Sequence, residues 1–169
     1  DNIFANAYVD ITFLKDFKFT ANITLDNIYA AYTYYSNNEY GSAAKASWNG
    51  IVEKSSSVYT SFNSQQLLSY NKTFADKHNM DVMLGHEYYR SLYYYLQAGK
   101  SMLYSYDSEE LAGAVVDASA AHSYTTDYNN EGYFFRGQYN YDERFFFSAS
   151  YRRDASSRFH PDNRWGDFY

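Results

Sequence analysis

From Ile3 to Phe13 every second position is apolar: Ile3, Ala5, Ala7, Val9, Ile11 and Phe13 share one parity, and Asn6, Tyr8, Asp10 and Thr12 share the other. Period two is the period of a pleated strand, whose successive side chains point to opposite faces. After Leu14, Lys15 and Asp16 the alternation resumes, with Phe17, Phe19, Ala21, Ile23 and Leu25 against Lys18, Thr20, Asn22, Thr24 and Asp26. The stretch predicts a hairpin with one apolar and one polar face. That is the alternation of a sheet with lipid on one side and water on the other; a one-sided soluble sheet has the same pattern.

Tyr29, Tyr32, Tyr34 and Tyr35 then crowd the strand end, as where a strand leaves hydrocarbon for the headgroup level. Ser36 to Ser56 has no period and reads as a long loop. Val58 to Phe74 predicts a third strand, Ala75 to His78 a short turn, and Asn79 to Tyr95 a fourth strand that starts with Met80, Val82 and Leu84 on one parity. Continued, that parity puts His86 and Arg90 on the apolar face, which is costly in lipid. A bulge near Gly85 would swap the faces beyond it. Leu96 to Thr126 reads as a second long loop, with Asp107 and Glu110 spaced to cap a helical turn that Gly113 limits. The last hairpin pairs Tyr133, Phe135, Gly137, Tyr139 and Tyr141 with Phe145, Phe147, Ala149 and Tyr151, across a turn at Asp142 and Glu143.

Short turns thus alternate with long loops, and the strands, at roughly 10 to 17 residues, exceed the ~5–6 usual in globular proteins. Outer-membrane barrels sort their connections in this way, into short periplasmic turns and long extracellular loops. The expected fold is all-β: an antiparallel transmembrane β-barrel segment of about six strands in three hairpins.

Composition sharpens this picture. Of 169 residues 22 are Tyr and 13 Phe, yet the net charge is −6 and the mean hydropathy −0.63. A soluble core draws its volume mainly from Leu, Ile and Val, whereas tyrosine-rich strands fit the aromatic girdles and wet walls of barrels. No run approaches the ~18 apolar residues of a membrane helix, which leaves a membrane barrel open. Without cysteine there is neither a disulfide nor a thiolate metal site, and the redox compartment is undetermined. Mild acidity without a basic stripe argues against nucleic acid. No signal peptide is recognisable, and both ends read as cuts through a longer protein.

The segment Tyr139 to Gly166 contains NYDERFFFSASYRRDASSRFHPDNRWG. It closely resembles the barrel signature of the SusC/RagA family of TonB-dependent outer-membrane transporters, N-Y-x-x-[KD]-R-[YF]-x-x-x-x-S-x-R-x-D-G-S-S-[RK]-F-G-x-[DN]-x-[RK]-[WY]-G. It departs at Ala155 and His160, where that pattern has Gly, a residue free to take positive φ. Tyr70 to Arg90, YNKTFADKHNMDVMLGHEYYR, is similar to an earlier hairpin of the family. The resemblance implies that residues 1–169 are part of a TonB-dependent receptor barrel in the outer membrane of a Bacteroidetes-type bacterium. It implies import of oligosaccharides or peptides, a SusD-like lipoprotein as lid, outer-membrane lipid around the wall, TonB contacted through parts outside this chain, and neither cofactor nor catalysis.

Arg152, Arg153, Asp154, Arg158, Asp162 and Arg164 either bind an anionic or sugar ligand or form a rim network of ion pairs. With ~3.3 Å per residue and a tilt of ~40°, Arg153 stands roughly 25 Å from the turn at Asp142, at the outer interface, while Arg152 and Asp154 face the lumen. The expected ligand-contacting residues are Arg152, Asp154 and Arg158, with Trp48, Tyr104 and Tyr106 as loop aromatics that stack on a ligand or pack their own loops; Tyr124 shares that choice. Tyr88, Tyr89, Tyr93, Tyr94 and Tyr95 read as an interfacial girdle. His86 and Glu87 are adjacent in a strand and point apart, so they suggest neither a metal site nor an acid–base pair. His78, His122 and His160 are scattered, with no nucleophile motif beside them. The sequons at Asn22 and Asn71 fall in strands.

Two other classes fit the pattern less fully: a passive porin, which needs a closed set of strands, and a secreted carbohydrate-binding β-sandwich, which needs protected edges. Six strands with open edges are not expected to fold alone.

Overall fold

A computed structural model describes residues 1–169 except Tyr106. Seven strands form one sheet, in which order in space follows order in sequence and every strand neighbours the next. They are β1 (Asn2–Phe13), β2 (Phe17–Ser36), β3 (Ile51–Phe74), β4 (His78–Leu103), β5 (Ala114–Tyr141), β6 (Phe145–Ser156) and β7 (Trp165–Phe168). The count exceeds the six expected because Trp165 to Phe168 pairs antiparallel with β6, Ala155 opposite Trp165 and Arg152 opposite Phe168. Among the described residues no pairing joins β1 to β7, so the barrel-type sheet is open here.

Each of the three short turns, β1–β2, β3–β4 and β5–β6, is built on two consecutive left-handed residues: Leu14 and Lys15 (φ 50° and 64°), Ala75 and Asp76 (47° and 56°), Asp142 and Glu143 (51° and 55°). Paired positive φ is the signature of the type I′ turn, whose twist matches that of the strands it joins. Ala155 and His160 need no such freedom, since Ala155 lies within a β6 pair and His160 has φ −55°.

The two long loops are shorter than expected. β4 runs on to Leu103 and β5 starts at Ala114, so the segment from Leu96 to Thr126 is mostly strand. Similarly, β3 starts at Ile51. A strand crosses hydrocarbon in about 9–11 residues, and β4 and β5 have 26 and 28. Where neither face of these long strands is apolar, backbone pairing continues without a hydropathy pattern to reveal it. The expected capped helical turn is a single 3-10 turn, Leu111–Gly113, whose N-cap Glu110 makes no side-chain cap.

The residues form two compact units by their contacts. The first comprises Asp1–Asn2, Asn27–Tyr59 and Leu92–Thr126. Its small core is Val52, Leu103 and Ala114, with Tyr35 and Leu111 packed on it. The loop before β3 is tied to β4 by Met102 N–H donating to the Trp48 carbonyl (2.8 Å) and Leu103 N–H to the Asn49 carbonyl (3.0 Å).

The second unit comprises Ile3–Asp26, Thr60–Ser91 and Asp127–Tyr169. Its sheet separates two faces. On one, Phe135 opposes Tyr151, Gly137 Ala149, Tyr139 Phe147 and Tyr141 Phe145. This face is apolar yet exposed, with Ile11 at 50 %, Leu84 at 51 % and Phe147 at 66 %. On the other, Phe134 opposes Arg152, Arg136 Ser150 and Gln138 Ser148.

The bulge expected near Gly85 is absent. His78 meets Tyr139 and His86 meets Tyr133, both on the apolar face, while Asp81 meets Arg136 and Glu87 meets Arg152 on the polar one. Parity therefore passes through Gly85 unchanged. The glycine serves a neighbour instead: a Cβ there would lie 2.1 Å from Cζ of Phe134.

Candidate ligand groove on the polar face

The polar face of the second unit holds a groove of about 820 Å³, lined among others by Glu87, Tyr128, Arg152, Asp154, Arg158 and Arg164. Three of the residues singled out in the sequence, Arg152, Asp154 and Arg158, meet here. Alternation along β6 sends Arg152 and Asp154 to this face and Arg153 to the other, where its guanidinium lies 5.3 Å from the Trp165 ring and 3.7 Å from Asp167.

Arg152 is engaged by two carboxylates. Its Nε donates to both carboxylate oxygens of Asp154 at 2.8 Å, its NH2 donates to Glu87 at 2.9 Å, and its guanidinium lies 5.5 Å from the centre of the Phe134 ring. Glu87 is held from its other side by Gln65 Nε2 at 2.6 Å. Gly132 faces Asp154 across the β5–β6 pair, and a Cβ there would come within 2.4 Å of the Asp154 carboxylate. About half of the Arg152 side chain is exposed, so this cluster adds little stability, of the order of 0–1 kcal/mol per surface ion pair. What it provides is orientation.

Arg158 follows the strand end. Ser157 N–H donates to the Asn129 carbonyl and Ser157 Oγ accepts from Asn129 N–H, both at 2.9 Å, which fixes the chain as it leaves β6. The Arg158 guanidinium then lies 4.6 Å from the Tyr128 ring centre. Arg164 donates through Nε to the Phe159 carbonyl at 3.2 Å.

Trp48 and Tyr104 belong to the first unit, are 53 % and 77 % exposed, and make no ring contact among the described residues. Tyr106 lies outside the described residues. The tyrosines read as one girdle are divided. Tyr88 donates to Asn129 and Tyr89 meets Tyr128 in the second unit, while Tyr93 and Tyr95 gather with Tyr124 and His122 in the first, at ring distances of 5.4 to 6.5 Å. Glu87, Tyr128 and Phe134 went unnoticed as site residues because each needs its cross-strand partner to be meaningful. Strand parity separates Glu87 from His86, but only register brings it to Arg152 across the intervening β5.

The apolar face carries polar groups as well, several of them paired with one another. His86 shares hydrogen bonds with Gln66 (2.8 Å) and Glu131 (3.2 Å), Tyr133 donates to Glu131 (2.7 Å), and Arg90 holds Asp127 with two N–H groups (3.2 and 2.7 Å). Among the described residues no three acidic or histidine side chains gather as a metal site.

No family model matches the chain. The TonB-dependent receptor P39 of Formosa agariphila is 29 % identical over a stretch covering 71 % of this chain and 12 % of that protein. Two solved structures of the RagAB peptide importer align with nearly the whole chain. The closed-closed state gives a TM-score of 0.88 at 21 % identity over 98 % of this chain, and the open-open state 0.85 at 23 % over 99 %. The chain resembles one stretch of a TonB-dependent receptor. It spans 12 % of the curated relative and 18 % of each importer chain. These matches bear out the resemblance carried by Tyr139 to Gly166, and they make the open sheet an antiparallel barrel segment.

Proposed function

We propose that residues 1–169 form part of the barrel wall of a TonB-dependent outer-membrane transporter that imports oligosaccharides or peptides. The carrying observation is the division of the second unit's sheet into an exposed apolar face and a polar face with a groove, in a chain whose fold matches the RagAB importer along 98 % of its length. In this reading lipid covers the apolar face, and the groove opens to the lumen. The tight turns lie at the periplasmic side and the extended strand ends stand outside. A SusD-like lipoprotein caps the mouth, and energy enters through TonB, which engages parts of the protein beyond this stretch. The wall segment positions and passes a ligand; no chemistry is assigned to it.

The test is the intact mass and solubility of the native polypeptide, detected with an antibody raised to residues 37–50. The expected species is recovered from outer membranes only in detergent and is several times heavier than the 19.7 kDa of this chain. A detergent-independent species near 19.7 kDa would sink the reading in favour of a soluble binding module.

A further inference from the structure

We propose that the groove recognises carboxylate groups on the ligand, and that Arg158 and Arg164, rather than Arg152, make the contact. The inference rests on the transporter reading and specifies its substrate class. It starts from how the arginines of the chain are used. Arg90, Arg136, Arg144, Arg152 and Arg153 each have a carboxylate within 3.8 Å. The arginines left are Arg158 and Arg164, and both line the groove. In a chain of net charge −6, acidic partners are plentiful, yet these two guanidinium groups have none among the described residues.

Their surroundings leave donors free. Arg158 lies over the Tyr128 ring, 4.6 Å from its centre, a contact made with the ring face that spares the N–H groups at the edge of the guanidinium. Arg164 uses Nε on the Phe159 carbonyl and keeps both terminal amino groups. A guanidinium with a free fork matches a carboxylate with two parallel hydrogen bonds. The acidic residues of the groove are already engaged, Glu87 and Asp154 with Arg152, and Glu131 with His86 and Tyr133. These contacts keep the lining carboxylates away from the two free cations. Acidic peptides and acidic oligosaccharides share this chemistry.

The experiment is calorimetric titration of the full-length polypeptide in detergent with four probes: tetraglutamate, tetraglutamine, a tetramer of galacturonic acid and the matching neutral galactose tetramer. One acidic probe is expected to bind, with its neutral counterpart about tenfold weaker or worse. Arg158→Gln and Arg164→Gln should each weaken the acidic probe by about ten- to a hundredfold, the equivalent of one charge-assisted hydrogen bond, and leave the neutral probe unchanged. Arg158→Lys keeps the charge without the planar fork and should fall between. The acidic probe that responds distinguishes peptide from sugar. Equal binding of acidic and neutral probes, or undiminished acidic binding in the double variant R158Q/R164Q, overturns the assignment while leaving import of neutral ligands intact. Binding of none of the four also overturns it, and the transporter reading is then decided separately by the mass measurement.

Discussion

The ring of Phe134 occupies the space in which a side chain at Gly85 would begin, since a Cβ there would lie 2.1 Å from Phe134 Cζ. Arg152 rests over the other part of this arrangement, 5.5 Å from the same ring, and spans from it to Glu87 and Asp154. The glycine on β4 therefore sets the position of an aromatic on β5, which in turn supports a cation on β6. Covering a strand glycine with a neighbouring aromatic also compensates for the packing that the glycine lacks.

Gly85→Ala is expected to displace Phe134 and to destabilise the sheet by about 1–3 kcal/mol, the usual cost of overpacking. Denaturant unfolding of the full-length polypeptide in detergent micelles measures this. Phe134→Leu in the same background should recover part of the loss, because a smaller side chain leaves room for the methyl group. A G85A variant as stable as the parent would mean that the ring moves freely and supports nothing.

The tight turns offer the opposite change. Glu143 has φ 55°, in the region that costs an ordinary L-residue about 1–2 kcal/mol. Asp142 is anchored to Lys77 and Arg144 at 3.7 and 3.4 Å, whereas no ion pair among the described residues holds Glu143. Glu143→Gly should therefore stabilise the β5–β6 hairpin by about 1 kcal/mol, less the added flexibility of glycine in the unfolded chain. The midpoint of urea unfolding should rise; a fall would show that the turn is held by more than its backbone.

In the first unit, Gly50 has φ 87° and a Cβ there would meet Leu103 Cδ1 at 2.4 Å. Strain and collision coincide, so Gly50→Ala should cost about 2–4 kcal/mol and loosen residues 37–50 from β4. Limited proteolysis should show cleavage within residues 37–50 appearing in the variant before any other site. Unchanged protection would mean that the Trp48 and Asn49 carbonyls hold the loop without help from the core.

What the sequence made legible follows from where one face is apolar. Ile3 to Asp26 and Tyr133 to Tyr151 alternate because most apolar residues there, though not Phe4, Phe134 or Phe146, lie on one exposed face, and strand, turn and side could be read from parity. From Val115 to Tyr128, Val, Ala and Thr fall on both parities, Ser and Asp on one and His and Tyr on the other, so no apolar face stands out and the pairing was invisible for that reason. Trp165 to Phe168 is too short for any period to show. Arg152, Asp154 and Arg158 were found through their chemistry, whereas Glu87, Phe134 and Tyr128 depend on register, which no single strand contains. Gly85 was recognised as special but for the wrong cause: it admits a ring instead of shifting the pairing.

The network of His86, Glu131, Tyr133 and Gln66 tests whether the apolar face meets lipid. A buried or lipid-facing polar pair costs more when one partner is removed than when both are. His86→Leu leaves Glu131 with Tyr133 alone, and Glu131→Leu leaves His86 with Gln66 alone. Each single change should destabilise by about 1–3 kcal/mol, the cost of an unsatisfied polar group away from water. The double change H86L/E131L should be less harmful than the sum of the two and close to neutral, because two leucines suit an apolar surround. A double-mutant cycle in micelles measures the coupling. If the face were instead open to water, the singles would cost little and the cycle would show a coupling below about 0.5 kcal/mol, as for exposed ion pairs.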